Sequence, residues 1–432
     1  MAASKTTAAD LLARRQRLLG PAYRLFYDEP VHIVRGEGAW LFDANDRRYL
    51  DLYNNVPHVG HSHPAVVAAI CRQAGMLNTH TRYLHEGVLD YAARLTGLLP
   101  AGLDTAMFSC TGTEANELAL RVARAATGRE GVIVTEFAYH GNSTTIAAIS
   151  TEDTPMDRRP GWVAAIPFPD AYRGEHRGKD AGLRYAEGID AAVAELAGRG
   201  IRPAAFIVDT ISSSSGVVEP PAGFLDEAAR RARAAGALVI ADEVQPGFGR
   251  TGRHFWGFDS DAVVPDIVTL GKPIGNGHPL AATVVRRELA DAFAARDSYF
   301  NTFGGNPVSA AAGMAVLDVL ERESLQQNAV QVGARLRAGL EALAARHEII
   351  GDVRGHGLFI AVDLVSDRDS RTPAGEAADR IVNALRRRRV LTNTIGPYDN
   401  VLKLRPPMVL TAEQADMFLT EFEQVLQHDP GS

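Results

Sequence analysis

Short apolar runs of strand length alternate with Ala- and Leu-rich helical stretches through the middle of the chain. Unbroken apolar runs of this kind are typical of strands that are buried on both faces. Their regular alternation with helices predicts an α/β fold, in which a mostly parallel sheet is covered by helices on both faces. The runs cover residues 131–135, 204–209, 237–241, 267–270 and 281–285.

The two ends of the chain have a different pattern. Residues 8–19 alternate Leu and Arg at helical spacing, and residues 31–51 contain short strands separated by turn residues. After about residue 310, two helices (308–322 and 327–346) lead into strands at 358–364 and 401–404. We interpret these ends as one smaller α+β domain, made of residues 1–75 and 316–432, beside a large domain of residues 76–315. The leucines of the first helix are predicted to pack on another element or another subunit.

Composition and charge narrow the function classes. The chain has 432 residues, 46% of them hydrophobic and 22% charged, which is ordinary for a globular protein with a sizeable core. A net charge of −7 argues against nucleic acid or an anionic membrane as the main partner, and the arginine run 386–389 is interpreted as a solvated helix end. Two cysteines, no apolar signal segment and no run of ~18 apolar residues favour a cytoplasmic protein.

Lys272 is the first candidate for chemistry. It follows the apolar run 267–270 and Gly271, and it precedes a turn rich in Pro, Gly and Asn. The carboxyl ends of the strands are where open α/β sheets place their ligand chemistry. A lysine at that place can form an imine with an aldehyde cofactor. Taken alone, however, the pattern around Lys272 favours a solvated loop lysine.

Thr111 and Glu114 have the spacing of a capping box at the start of a helix. Gly112 between them leaves room for an anion such as phosphate on the free backbone N–H groups, although a plain cap gives the same pattern. Tyr139 lies just beyond the run 131–135, where an aromatic side chain can either stack on a planar ring or pack in the core.

Asp242 ends the apolar run 237–241. A carboxylate at the end of a buried strand is costly without a partner, and the protonated nitrogen of a pyridinium ring would satisfy it. Histidines 58, 61 and 63 are interpreted as structural, because the spacing offers no further metal ligand; no metal site is expected.

These motifs together resemble the class-III pyridoxal-phosphate aminotransferases, which have fold type I. Residues 242–252 read Asp-Glu-Val-Gln-Pro-Gly-Phe-Gly-Arg-Thr-Gly, Gly-Lys follows the run 267–270, and residues 301–307 read Asn-Thr-Phe-Gly-Gly-Asn-Pro. The resemblance extends from about residue 20 to 425. It implies a large domain with a mostly parallel seven-stranded sheet flanked by helices, a smaller α+β domain, and pyridoxal phosphate as cofactor.

The resemblance also implies site residues. Lys272 is similar to the Schiff-base lysine, and Asp242 to the carboxylate on the pyridine nitrogen. Thr302 is similar to a residue that reaches the cofactor phosphate from the neighbouring subunit, which implies a homodimer with the active site at the interface. The other implied cofactor contacts are Val244 under the ring, Gln245 at its phenolic oxygen, Tyr139 stacked on it, His140, and Thr111, Gly112 and Thr113 as the phosphate cup.

Two positions depart from the usual aminotransferase pattern. Asp209 stands where the family usually has Glu, and Lys403 stands where it has the arginine of a carboxylate-handling pair. Segments 54–61 and 77–85, and Gly-Asn-Gly-His-Pro at 275–279, resemble instead the ethanolamine-phosphate and phosphohydroxylysine phospho-lyases, a branch of the same family.

The branch implies elimination of phosphate from a small phosphorylated amine, most simply O-phosphoethanolamine, to give acetaldehyde, ammonia and phosphate. Arg82, Lys403 and Arg405 are the candidates for the phosphate, with the hydroxyls of residues 212–215 as weaker ones. Arg405 can equally form a salt bridge between domains, and the serines can be a simple loop. The alternative functions are an ω-amine or amino-acid:pyruvate aminotransferase and, outside enzymes, a cofactor-loaded scaffold.

Overall fold

The computed structural model describes residues 7–54 and 56–428. Within those ranges, no helix combines the length and the apolar character needed to cross a membrane. Asn55 of the segment 54–61, and residues 1–6 of the predicted small domain, lie outside the described residues.

The N-terminal part forms a helix and a small antiparallel sheet, as predicted. No residue of the first helix is buried in this chain, so a partner for its leucines remains a prediction. The next three strands pair in sequence order, and the two pairings among them are antiparallel. The elements are α1 Ala8–Leu19, β1 Ile33–Glu37, β2 Trp40–Asp43, β3 Arg48–Asp51 and α2 Pro64–Ala74.

The middle of the chain forms the predicted seven-stranded sheet. Its helices are α3 Glu86–Thr96, α4 Gly112–Thr127, α5 Thr144–Ile149, α6 Ala181–Ala186, α7 Gly188–Gly198, α8 Phe224–Ala234 and α9 Arg287–Ala294. Its strands are β4 Thr105–Ser109, β5 Gly131–Thr135, β6 Val163–Ile166, β7 Pro203–Asp209, β8 Leu238–Asp242, β9 Ile267–Leu270 and β10 Ala281–Val285.

The strands lie in the order β4-β10-β9-β8-β7-β5-β6, and only β10 runs antiparallel to its neighbours. Both faces of the sheet are apolar because alternate residues of each strand point to opposite sides. On β7, Ala205 and Ile207 pack in the cluster beneath α4 and α5, whereas Phe206 and Val208 pack beneath α6 to α8. The apolar-run pattern did not reveal β6, because its four residues are two alanines between Val and Ile.

The C-terminal part supplies the rest of the small domain. Its five-stranded sheet contains the strands Ile350–His356 (β11), Phe359–Asp367 (β12), Val401–Leu404 (β16) and Asn393–Ile395 (β15) in that order, and Thr372–Pro373 (β13) pairs with β12. The strand Val390–Leu391 (β14) pairs in parallel with β3 of the N-terminal segment. Strands from the two chain ends therefore share one sheet, and the division of the chain into a large and a small domain remains a prediction. The elements are α10 Pro307–Arg322, α11 Leu325–Ala344, β11 Ile350–His356, β12 Phe359–Asp367, β13 Thr372–Pro373, α12 Gly375–Arg387, β14 Val390–Leu391, β15 Asn393–Ile395, β16 Val401–Leu404 and α13 Ala412–His428.

The arginine run at the end of α12 corrects one interpretation. Arg386 is largely buried and donates to Glu29 over 2.7 Å, and Arg388 donates to Glu421 over 2.6 Å. The run is a helix end, as expected, but two of its side chains are in ion pairs rather than simply solvated. These two ion pairs connect α12 to the N-terminal segment and to α13.

Candidate functional site

Lys272 follows β9 by one residue and begins a 3₁₀ turn that ends at Gly275. The predicted position after a buried strand is therefore confirmed. Its side chain lines a cavity of about 340 Å³ at the carboxyl ends of the strands. It makes no hydrogen bond or ion pair with any residue that the structure describes. Burial and the nearby charge of Arg405 lower the pKa of Lys272 to about 8, so that a larger fraction is free amine near neutral pH than for an exposed lysine.

Asp242 ends β8 and lines the same cavity. Its Oδ2 accepts hydrogen bonds from Nδ1 of His140 over 2.8 Å and from Nδ2 of Asn116 over 2.9 Å. Its Oδ1 accepts from the backbone N–H of Val244 over 3.1 Å. The buried carboxylate of Asp242, which was predicted to need a partner, therefore has some of its partners within the protein. These donors hold the charged carboxylate in one orientation toward the cavity.

Asn116, on α4, is a site residue that the sequence analysis missed. It is buried, and besides Asp242 its Nδ2 donates to the carbonyl of His140 over 2.8 Å. Its Oδ1 accepts from the hydroxyl of Thr269 on β9 over 2.6 Å. The available signal was a polar residue on the apolar face of α4, in line with Ala119, Leu120 and Ala123, because a polar side chain buried there needs partners.

The start of α4 forms one end of the cavity. Thr111 accepts from the backbone N–H of Glu114, and the Glu114 side chain accepts in return from the backbone N–H of Thr111. The capping box is confirmed, and Thr111, Gly112 and Thr113 all line the cavity. Because the first amides of a helix have no intrahelical acceptor, the amides of Gly112 and Thr113 are available to an anion.

Val244 forms an apolar floor that two glycines make possible. A Cβ atom on Gly112 would lie 2.9 Å from Val244 Cγ1, and one on Gly271 would lie 3.0 Å from the same atom. Both distances are shorter than carbon atoms in contact allow. The half-buried Tyr139 also lines the cavity, together with His140. A flat ring therefore has a smooth surface and an aromatic side chain available to it.

Gln245 separates two basic residues from the cavity. Its Oε1 accepts from the guanidinium of Arg405, and it lies 3.5 Å from Nζ of Lys403. Lys403 also donates to the carbonyl of Ser213 over 2.8 Å, and Arg405 donates to the carbonyl of Tyr53 over 3.2 Å. Both are buried, and neither lines the cavity. Arg405 makes no ion pair within the described chain, so the salt-bridge alternative for it was wrong.

The basic residues repel one another. Burial and Arg405 hold the pKa of Lys403 well below its usual range, and the charge of Lys272 adds to the effect. Burial likewise lowers the pKa of Arg405 to about 10. The positive charges of Lys403 and Arg405 beside Lys272 are therefore only partly compensated by negative groups.

Asp209 ends β7 and lines the cavity beside Asp242. It accepts from the backbone N–H of Ser213 over 2.9 Å. Burial, and then the negative charge of Asp242, raise the pKa of Asp209 to about 7. Of the serines at 212–215, none lines the cavity among the described residues; Ser215 instead donates to the carbonyl of Phe137 over 2.6 Å.

Two predicted residues lie away from the cavity of their own chain. Arg82 is exposed and its guanidinium lies 3.9 Å from the ring centre of Phe300. Thr302 is exposed and does not line the cavity. Their predicted roles therefore require the partner subunit and stay predictions.

The histidines of the segment 54–63 have protein partners. His58 contacts Arg250 and the carbonyl of Phe248, and His61 contacts Asp51 over 2.7 Å. His63 caps α2. Across residues 7–54 and 56–428, no group of His, Cys, Asp and Glu side chains is placed to hold a metal ion.

Pyridoxal phosphate fits this arrangement by its chemistry. An unpaired lysine can hold the aldehyde, and an oriented carboxylate can hold a proton on the ring nitrogen. The glycines beside Val244 leave room for a ring, and the free amides of α4 suit a phosphate. Lys272, Asp242, Val244, Gly112 and Thr113 are thus the described residues that would hold it.

Comparison with known proteins gives matches over nearly the whole chain. The aminotransferase class-III family matches residues 26–426. A Drosophila melanogaster protein named alanine–glyoxylate aminotransferase 2-like is 42% identical over 99% of this chain and 88% of its own. A Caenorhabditis elegans protein named ethanolamine-phosphate phospho-lyase homolog 1 is 39% identical over 96% of this chain and 93% of its own. The structure of a phospholyase from Arthrobacter in complex with phosphoethanolamine is 44% identical, has a TM-score of 0.93, and covers 98% of this chain and 100% of its own.

These matches confirm the resemblance seen in the motifs and the fold-type-I architecture. They also confirm pyridoxal phosphate as the cofactor, since it is the cofactor of this family and the residues present fit it. An unpaired Lys272 beside an oriented Asp242 is what that cofactor requires. The chain is an enzyme that belongs to the class-III aminotransferase family.

Proposed function

We propose that this enzyme is a phospho-lyase that eliminates phosphate from a small phosphorylated amine, with O-phosphoethanolamine as the first candidate substrate. The products are acetaldehyde, ammonia and phosphate. The observation that carries the proposal is the crowding of positive charge beside Lys272. Lys403 and Arg405 lie next to it, and neither has a carboxylate within ion-pair distance in the described part of the chain.

A dianionic substrate group relieves this crowding. Arg405 lowers the pKa of both lysines, so each cation raises the energy of the others. Of the two carboxyls that line the cavity, Asp242 is engaged with His140 and Asn116, and Asp209 is partly protonated near neutral pH. A phosphate brings two negative charges, whereas the carboxylate of an amino acid or keto acid brings one. The electrostatics therefore favour a phosphorylated substrate.

Two relatives support this substrate class. The Arthrobacter phospholyase, which is 44% identical, is described as being in complex with phosphoethanolamine. The nematode protein is named as an ethanolamine-phosphate phospho-lyase homolog and matches 96% of this chain.

The residues of this chain have distinct tasks in the proposed reaction. When bound, pyridoxal phosphate supplies a ring that accepts the electron pair left on the substrate carbon. Lys272, as free amine, removes the proton from the carbon that carries the nitrogen. Asp242, oriented by His140 and Asn116, holds a proton on the ring nitrogen. Lys403 and Arg405 stabilise the negative charge of the departing phosphate through the electrostatic field of the cavity.

An aminotransferase is the second candidate, because the same lysine and carboxylate serve both reactions. The observation that favours it is the 42% identity to the fly protein named alanine–glyoxylate aminotransferase 2-like. In that case Lys272 would both take and return the proton, and a keto acid would be needed as amino acceptor to complete the cycle.

We also propose a homodimer with its active site at the interface. Thr302 and Arg82 are exposed and lie away from the cavity of their own chain, so they are available to the cavity of a second copy. Location in the cytoplasm remains a prediction.

One experiment separates the two reactions. The holoenzyme is incubated with O-phosphoethanolamine in the absence of any keto acid, and inorganic phosphate and acetaldehyde are measured. We expect both products in equal amounts, no turnover for Lys272→Ala, and unchanged turnover for Lys179→Ala, which alters an exposed lysine. Strict dependence on pyruvate would overturn the phospho-lyase proposal.

A further inference from the structure

Asp209 and Asp242 stand side by side at the carboxyl ends of two parallel strands. Their Cα atoms are paired in the ladder between β7 and β8. Both residues are buried and both line the cavity that contains Lys272. Two carboxyls in this relationship do not ionise independently, because each negative charge opposes the other.

Their hydrogen bonds separate their roles. Asp242 accepts from His140, Asn116 and the amide of Val244, and these donors stabilise its charged form. Asp209 has only Ser213, with its amide at 2.9 Å and its hydroxyl at 3.4 Å. Burial and Asp242 raise the pKa of Asp209 to about 7. A buried carboxyl whose pKa is raised in this way is suited to act as an acid near neutral pH.

The other charges around Asp209 do not cancel this arrangement. Among the described residues, no cation lies within ion-pair distance of it. Asp242, at the end of β8, opposes its ionisation. The positive groups that favour its ionisation are His140, Lys272, Lys403 and Arg405, but burial and Asp242 outweigh them and the pKa of Asp209 is raised.

The proposed elimination needs a proton on the leaving group. When the C–O bond of a phosphate monoester dianion breaks, its electron pair goes to the oxygen, and the product without a proton would be PO₄³⁻. This is a strongly basic leaving group, so a proton donor in the cavity is required. Lys272 is occupied with the proton that it takes from carbon. Lys403 and Arg405 direct hydrogen bonds to oxygens of the protein and lie behind Gln245.

We propose that Asp209 is the general acid that protonates the departing phosphate oxygen, a role that rests on the proposed phospho-lyase function. The C–O bond breaks with its electrons on oxygen, the proton of the Asp209 carboxyl moves to that oxygen, and phosphate leaves as HPO₄²⁻. The Asp209 carboxylate regains a proton from water after the product has left.

The test compares two leaving groups in the holoenzyme. Sulfate is a weak base and leaves without a proton, so ethanolamine O-sulfate does not need the acid, whereas O-phosphoethanolamine does. For Asp209→Asn, which keeps the shape of the side chain, we expect kcat for phosphate release to fall by ~10²–10⁴-fold with little change in KM. Sulfate release should change only a few-fold. Equal losses on the two esters, or no loss on either, would overturn the role.

The pH profile gives a second, independent readout that needs only the phosphate ester. The protonated form of Asp209 is the active one, so kcat/KM of the wild type should fall as the pH rises through about 7. This fall should be absent in Asp209→Asn and return in Asp209→Glu. A wild-type profile without the fall, or an unaltered fall in Asp209→Asn, contradicts the proposal.

Controls distinguish the possible failures. Asp180→Asn, at an exposed position without a side-chain hydrogen bond, should behave as the wild type in every assay. The visible absorbance of the bound cofactor and the thermal midpoint report whether each variant is folded and has bound the cofactor. If Asp209→Asn fails either check, the proposal is judged on Asp209→Glu and on the wild-type pH profile. A wild type that releases no phosphate without a keto acid overturns the proposed function and this role together. Phosphate release that is insensitive to Asp209→Asn overturns this role alone.

Discussion

Asn116 and Asp242 are joined by a hydrogen bond of 2.9 Å between two buried side chains. The same amide also bonds to the hydroxyl of Thr269, on the strand that leads to Lys272, and to the carbonyl of His140. One side chain of α4 therefore connects the strand of the lysine, the strand of the carboxylate and the loop of Tyr139. Asn116 acts through Asp242 and is a positioning residue.

Replacing Asn116 by Ala is expected to weaken cofactor binding. The change removes a hydrogen bond to a charged group, worth about 1.5–3 kcal/mol, or roughly a tenfold to hundredfold rise in the dissociation constant of pyridoxal phosphate. Equilibrium titration followed by visible absorbance measures it. The matched control is Asn45→Ala on an exposed turn. An unchanged dissociation constant for Asn116→Ala would remove the residue from the site.

Gly112→Ala tests the floor of the cavity. The added Cβ would lie 2.9 Å from Val244 Cγ1, so the valine must move toward the space for the ring. We expect a cost of about 1–3 kcal/mol, seen as a lower thermal midpoint and weaker cofactor binding. The double variant Gly112→Ala, Val244→Ala should recover most of the loss, because it removes the clashing methyl groups. Gly198→Ala, where a Cβ meets nothing within 4 Å, is the control.

The reactivity of Lys272 should depend on pH in a defined direction. The free amine is the nucleophile, and the pKa of Lys272 is lowered to about 8. The rate at which cofactor-free enzyme captures pyridoxal phosphate should therefore rise about tenfold for each pH unit below that value, and level off above it. Stopped-flow absorbance measures the rate. A midpoint near the ordinary lysine value would show that burial and Arg405 do not act as inferred.

Lys403→Ala is predicted to weaken phosphorylated substrates more than plain amines. Removal of this buried cation should raise the dissociation constant of O-phosphoethanolamine about tenfold more than that of ethanolamine. Both are measured by the change in cofactor absorbance, with Lys179→Ala as the control on an exposed lysine. Equal losses for the two ligands would exclude Lys403 from the phosphate site.

The proposed dimer has a measurable consequence at Thr302. Light scattering should give twice the chain mass, and Thr302→Ala should weaken cofactor binding although Thr302 is exposed in its own chain. The control is Thr420→Ala, whose hydroxyl donates to the carbonyl of Asp416 on α13. A monomer of full activity would rule out the shared site.

Local patterns along the chain predicted most of the sheet and the positions of Lys272, Asp242 and the capped start of α4. An unbroken apolar run predicts a buried strand wherever it occurs, and the carboxyl ends of parallel strands meet at one edge. The strand β6 and the strand β11 gave no such signal. Two of the four residues of the first are alanines. The second carries Asp352 and Arg354, which pair with each other over 3.0 Å, and Arg354 also pairs with Asp363 over 2.9 Å.

The sequence by itself determined the family, the cofactor and the residues at the strand ends, because strand periodicity and strand-end motifs are local properties. Only the tertiary structure decided which of those ends are neighbours. It placed Asp209 beside Asp242, brought Asn116 to Asp242 across 126 positions of chain, and set Lys403 and Arg405 behind Gln245 rather than in the cavity. Strand order and side-chain burial depend on contacts between distant segments, and no local pattern contains them.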